Sequence, residues 1–150
     1  MKTQNILIRP FDRETDVENL LGIWFAASLK AHPFIGVPRL IEQRRLIETE
    51  YLPTAETWVA CHNGEALGFI SLLGSFIGGI FIAPDRQGMG VGRRLIAHAL
   101  DQKGELSLEV YIANQQAFGF YMSLGFQEVS RREVDDFGYP FPNAALQLKG

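Results

Sequence analysis

The sequence predicts an α+β fold: a central mixed, twisted sheet of six to seven strands with about four helices spread over its two faces. Three observations lead there. Apolar residues recur at the 3.6-residue period of helices in some stretches and form short strand-like runs in others. The order reads strand, two helices, three strands, helix, strand, helix, two strands. An Asn63-Gly64 pair between two of the apolar runs signals a tight hairpin, which a purely alternating parallel winding does not contain.

Ile6–Phe11 reads as the first strand, closed by Pro10 and Asp12. Thr15 or Asp16 then caps a helix whose apolar face is Val17, Leu20, Leu21, Trp24 and Phe25. His32-Pro33 through Pro38 breaks it, because proline disfavours helix both at and before its own position. Leu40, Ile41, Arg44, Leu46, Ile47 and Tyr51 outline a second helix ending near Pro53. Thr57–His62, Leu67–Leu73 and Ile77–Ile82 are expected to form an antiparallel meander, turned at Asn63-Gly64 and Gly74-Ser75. Val91, Leu95, Ile96, Ala99 and Leu100 give the next helix one apolar face, and Lys103-Gly104 stops it. Leu106–Tyr111 is a fifth strand, 117–124 a short helix terminated by Gly125, and 126–135 and 144–149 the final strands.

The 150 residues are 47% hydrophobic and 21% charged, with a net charge of −3. That composition fits one domain over 1–150 with a real core and argues against long disorder. It lacks the basic excess of a nucleic-acid binder, and no apolar run is long enough to span a bilayer. The polar N-terminus lacks a signal-peptide core. A single cysteine, Cys61, fits a reducing compartment, so a cytoplasmic location is expected. No Cys/His spacing suggests a metal site.

The chemistry is concentrated between residues 77 and 126. A strand runs through Ala83-Pro84-Asp85-Arg86 into Gln87-Gly88-Met89-Gly90-Val91-Gly92-Arg93 and then into a helix. A strand, a glycine-rich turn and a helix start together hold phosphate, because unpaired backbone N–H groups point at the anion with the favourable sign of the helix dipole. A P-loop needs Gly-Lys-Ser or Gly-Lys-Thr, absent here. A dinucleotide-binding Gly-x-Gly-x-x-Gly needs glycine at position 93, which is Arg93, although Glu109 lies about where such a fold puts its ribose-binding acid.

The Gln87–Gly92 turn resembles the Gln/Arg-x-x-Gly-x-Gly/Ala motif of the GNAT superfamily of acyl-CoA N-acyltransferases. A second cluster, Asn114-x-x-Ala117-x-x-Phe120-Tyr121-x-x-x-Gly125-Phe126, resembles the same family independently. The resemblance covers the whole element order and implies a GNAT-like fold that uses acetyl-CoA. It implies that backbone N–H groups of Gln87, Gly88, Met89, Gly90, Val91, Gly92 and Arg93 hold the CoA pyrophosphate. Ile80, Phe81 and Ile82 would lie on a strand splayed from its neighbour to receive the pantetheine arm, one N–H polarising the thioester carbonyl. Gly78-Gly79 permit a bulge there. Asn114 would steady the pantetheine while capping its helix, and Tyr121 would protonate the departing thiolate. A tyrosine at that helical position is otherwise a core residue.

For the general base, Glu109 stands first, with a solvent-facing strand position as its alternative. Tyr111 shares its face if the strand is regular. His32 and Phe34 fall in the loop that lines the acceptor pocket of similar enzymes. His62 reads as a turn residue and His98 as structural or exposed. Cys61 reads as core packing in preference to an acyl-carrying nucleophile. The segment Glu133–Pro142 resembles one found in a bacterial GNAT subgroup, and its aromatics and acids suit a small cationic amine; a plain connecting turn is the alternative. The expected activity is acetyl transfer from acetyl-CoA to a primary amine of a small molecule or peptide by direct attack in a ternary complex. A CoA-binding sensor without turnover is the second reading. Homodimers are common among similar proteins.

Overall fold

The computed structural model describes residues 6–31 and 33–150. Its elements are β1 (Leu7–Pro10), α1 (Val17–Ala31), α2 (Val37–Leu46), β2 (Glu56–His62), β3 (Glu65–Leu73), β4 (Phe76–Ile82), α3 (Val91–Lys103), β5 (Glu105–Tyr111), α4 (Gln115–Ser123), β6 (Gln127–Arg132) and β7 (Asn143–Lys149). The seven strands form one mixed sheet in the order β1-β2-β3-β4-β5-β7-β6. The expected meander is present, with Asn63 and Gly64 both at positive φ in the turn between β2 and β3.

The alternation of side chains along the strands divides the core in two. Leu106, Leu108 and Val110 of β5 join Val91, Leu95, Ile96 and Ala99 of α3 and Tyr121 of α4 on one face. On the other, Leu20 and Trp24 of α1 and Leu40 of α2 pack against Val59 and Phe69. Burying each of these large side chains contributes about 1.5–3 kcal/mol. Both faces are therefore braced, and the middle of the sheet is held on each side of its weakest seam.

That seam is β4 against β5. The two strands are parallel and pair only through Phe76↔Ser107 and Ile77↔Leu108. Beyond this point β4 bonds only to β3, and β5 only to β7. The register between β3 and β4 also slips, Ser71 facing Gly79 while Leu72 faces Ile77. Gly78 is thus the extra residue of a bulge at the parting, as its glycine pair suggested.

The second helix differs from expectation at both ends. It starts at Val37 with Pro38 in its first turn, where proline's missing N–H costs nothing. It then widens into a π-helical turn at Ile47–Tyr51, closed by a Leu52 N–H donating to the Ile47 carbonyl at 2.8 Å. Asp16 does precede α1, but its carboxylate serves another purpose. It accepts from Arg9 Nη1 and Nη2 at 2.8 and 2.9 Å and from the Asp12 N–H at 2.7 Å, fastening β1 to the start of α1. The Arg9 hydrogen bonds, opposed by burial, lower its pKa.

Asp16→Ala is expected to cost about 2–3 kcal/mol, somewhat below a fully buried pair because Arg9 is partly solvated. Since the folded-state pKa of Asp16 is depressed, its contribution is present above the unfolded value of about 4 and is lost as pH falls through the folded value. Denaturant midpoints for the wild type and Asp16→Ala should therefore converge in acid; a constant difference down to the lowest pH would contradict this.

Candidate acyl-CoA site

The parting of β4 and β5 opens into a cleft of about 890 Å³, within the range of small-molecule sites. One wall is Gly78–Ile82 of β4, and the opposite wall is Leu108–Tyr111 of β5. Having lost one neighbour, β4 turns alternate backbone N–H and C=O groups toward the gap. A ligand with amide groups, such as pantetheine, satisfies them as a third strand does.

At one end of the cleft β4 passes through a short 3₁₀ turn, Pro84–Arg86, into α3. Arg86 Nη2 donates to Glu65 Oε1 at 2.7 Å, tying this turn to the start of β3. Gly90 is the N-cap of α3, in the left-handed region at φ 81, and no side chain caps the helix. The first turn contains Arg93 and Arg94 but no acid. Uncapped N–H groups beside two cations are an arrangement that an anion stabilises. A Cβ at Gly90 would meet nothing within 4 Å, so the backbone is open to close approach.

Ile80, Phe81, Ile82, Gln87, Gly88, Gly90, Val91, Gly92, Arg93, Asn114 and Tyr121 all line the cleft. Met89 does not; it packs against the α3–α4 core. Asn114 caps α4, its Oδ1 accepting from the Ala117 N–H at 3.2 Å. Tyr121 is both core and site: its ring lies edge-on to Phe126 at 5.5 Å, it is 8% exposed, and it borders the cleft. Burial drives its pKa far above that of a free phenol, so the hydroxyl keeps its proton.

Glu109 and Tyr111 lie on the same face of β5 and line the cleft. Arg132 Nη2 donates to Glu109 Oε1 at 2.7 Å and to Asp136 Oδ1 at 2.8 Å. Burial first, then the charge of Asp136, raises the Glu109 pKa above the usual carboxylate range, with Arg132 opposing. The Tyr111 hydroxyl donates to Asp135 Oδ2 at 2.7 Å. Phe34 stands behind that ring, edge-on at 5.5 Å, and is not part of the cleft wall. His32 lies outside the described residues. His98 packs its ring against Trp58 at 4.4 Å, and Cys61 is buried in the α1–α2 core.

The loop between β6 and β7 corrects one expectation. Its aromatic rings hold a cation, but the cation belongs to the protein: Arg39 of α2 lies 4.6 Å from the Tyr139 ring and 5.3 Å from that of Phe141. Tyr139 also donates to Glu42 Oε1 at 2.6 Å. Asp135 is structural, its Oδ1 accepting from the N–H groups of Phe137 and Tyr139 at 3.0 and 2.9 Å. The sequence reading missed Lys30, Gln43, Tyr51, Arg86 and Asn143, which also line the cleft. Lys30 Nζ reaches Gln87 Oε1 at 3.2 Å across a separation in sequence that no local pattern reveals.

A splayed strand pair leading to an uncapped, glycine-turned helix start suits an acyl carrier with a phosphate-bearing handle. Residues 53–128 match the family model of the acetyltransferase (GNAT) domain. The chain belongs to the GNAT acetyltransferase family. It is 39% identical to the peptidyl-lysine N-acetyltransferase YjaB of Escherichia coli K12, over 92% of this chain and 94% of that protein. It is 32% identical to the peptidyl-lysine N-acetyltransferase YiaC of the same strain, over 89% and 92% respectively. The solution structure of apo YjaB from Escherichia coli superposes with a TM-score of 0.87 at 38% identity, covering 96% of this chain and 97% of that one. At the level of fold, PaiA N-acetyltransferase of Thermoplasma acidophilum, solved in complex with coenzyme A, gives a TM-score of 0.78 at 19% identity over 98% of this chain and all of that one. The chain is an acetyl-CoA-dependent N-acetyltransferase.

Gly90→Val places a β-branched side chain at a left-handed φ and fills the open approach to the turn. It should raise the calorimetric Kd for acetyl-CoA tenfold or more while far-UV circular dichroism is unchanged. Unaltered affinity would remove this turn from the site.

Proposed function

We propose that this chain acetylates the side-chain amine of lysine within a peptide or protein, by direct attack of the amine on the acetyl-CoA thioester while both are bound. The parting of β4 from β5 beside the glycine turn carries the reading. It offers backbone groups to the pantetheine arm and leaves the thioester beside Gly78, Glu109 and Tyr121. The names of the relatives, both peptidyl-lysine N-acetyltransferases, supply the acceptor class.

In this reading the pyrophosphate sits on the N–H groups of residues 87–93, and a β4 N–H polarises the acetyl carbonyl. The amine nitrogen uses its lone pair to bond to the carbonyl carbon. Glu109, directly or through water, takes the proton that the ammonium must lose, and its raised pKa suits that task. As the C–S bond breaks, the electron pair goes to sulfur, the Tyr121 hydroxyl supplies the proton of the free thiol, and the second proton that the nitrogen loses as the amide forms restores the phenol. The buried Cys61 takes no part, so no acyl-enzyme forms.

Tyr121→Phe should lower kcat about a hundredfold with the KM for acetyl-CoA unchanged, in an assay of thiol release with a lysine peptide. Turnover within twofold of wild type would remove Tyr121 from the proton transfer. The wild-type rate should fall as pH drops through the raised pKa of Glu109, because only the carboxylate accepts a proton. Glu109→Gln should lose that acid limb along with about a hundredfold in kcat/KM; an unchanged limb would place the base elsewhere.

A further inference from the structure

Five buried side-chain polar atoms among the described residues have no hydrogen-bond partner: Gln43 Nε2, Tyr51 Oη, Arg86 Nε, His98 Nε2 and Asn143 Oδ1. Folded proteins satisfy nearly all such groups, and each orphan costs about 1–3 kcal/mol. Four of the five belong to residues that line the cleft, His98 being the exception. A cost concentrated in one cleft is what a site shows when its partners arrive with the ligand. Arg86 stands next to the phosphate turn. The other three come from the α2 side and the β7 edge, away from that turn.

Asn143 pairs with Tyr111 across β5 and β7. Its amide orientation is set by its own contacts, Nδ2 donating to the carbonyls of Val134 and Phe141 at 2.9 and 3.2 Å. Oδ1 is therefore an acceptor waiting for a donor, on a residue only 4% exposed. Gln43, 6% exposed, presents an N–H that needs a carbonyl. Tyr51 ends the π-helical turn, a distortion often found at functional sites. A Cβ at Gly78 would fall 1.1 Å from Tyr51 Oη, so the phenol tip lies against the bulge where β4 leaves β5. Burial raises its pKa to about 12, which keeps the hydroxyl neutral.

We infer that Gln43, Tyr51 and Asn143 form the acceptor subsite, Tyr51 Oη holding the reacting amine at the parting of the strands while Gln43 and Asn143 bind the C=O and N–H of a backbone amide in the same substrate. This rests on the proposed lysine acetylation and sharpens it: the substrate is an amine tethered to an amide, not a simple polyamine. A donor and an acceptor together match an amide and find no match in an alkyl diamine. All three residues line the cleft, although their orphan atoms are covered by neighbouring groups.

The test compares Nα-acetyl-lysine methylamide with 1,5-diaminopentane as acceptors, for wild type, Gln43→Met and Tyr51→Phe. Wild type should favour the amide by at least tenfold in kcat/KM. Gln43→Met should reduce that preference to within twofold, and Tyr51→Phe should raise the KM of both acceptors at least fivefold. Neither variant should change the KM for acetyl-CoA, and neither should lower Tm, because Gln43 Nε2 and Tyr51 Oη have no protein partner to lose. Gly78→Ala, which evicts the phenol, should reproduce the Tyr51→Phe phenotype. A wild type that acetylates the diamine as well as or better than the amide, or variants that keep the wild-type preference and KM, would overturn the subsite and leave acetyl transfer standing. Acetylation of neither compound would overturn both.

Discussion

The ladder between β4 and β5 ends after Ile77 and Leu108, and the functional features are arranged around the unpaired backbone that follows. Buried peptide groups seldom go without partners, so a sheet that opens at its centre is stable only if water or a ligand fills the gap. The two cores make this tolerable. α3 and α4 hold β5 from one face, α1 and α2 hold β3 from the other, and neither half depends on the missing bonds. Coenzyme A, with amides along its arm and phosphates at its end, matches both the gap and the uncapped helix start beside it.

Charge is distributed to suit this division. Lys30, Arg86 and Arg93 line the cleft beside the glycine turn, whereas Glu109, Asp135 and Asp136 line it on β5 and the loop between β6 and β7. Arg132 bridges two of those acids, restraining Glu109 without neutralising the effect of burial on it. The aromatic loop between β6 and β7 is clamped to α2 by Arg39 and Glu42. Its rings therefore pack on a cation of the protein itself, while Asp135, Asp136 and Phe137 reach the cleft.

Much of this was legible in the chain because its signals are local. Asn63-Gly64 specifies a hairpin, Gly125 a helix end, and Asn114 a helix start, each through the conformation of a few adjacent bonds. The two motif clusters extended that reading to the family and to the β4, glycine-turn and α4 residues that line the cleft. What escaped detection depends on distance. Tyr51 fits helical periodicity and reads as core until the π-helical turn and the bulge at Gly78 bring it to the cleft. The loop aromatics read as suited to a small cationic amine, but no pattern shows that Arg39 of α2 packs on their rings. Asn143 opens a strand, and only the β5–β7 register sets it beside Tyr111.

The most direct measurement is an amide ¹H–¹⁵N correlation spectrum recorded while acetyl-CoA is titrated into the protein. Two separate stretches of backbone, 78–82 and 88–93, should shift together and saturate with one affinity, with Leu108–Tyr111 following. Shifts confined to other surfaces, or no saturable shift in these two stretches, would contradict the claim that the opened seam of the sheet is where the acyl carrier binds.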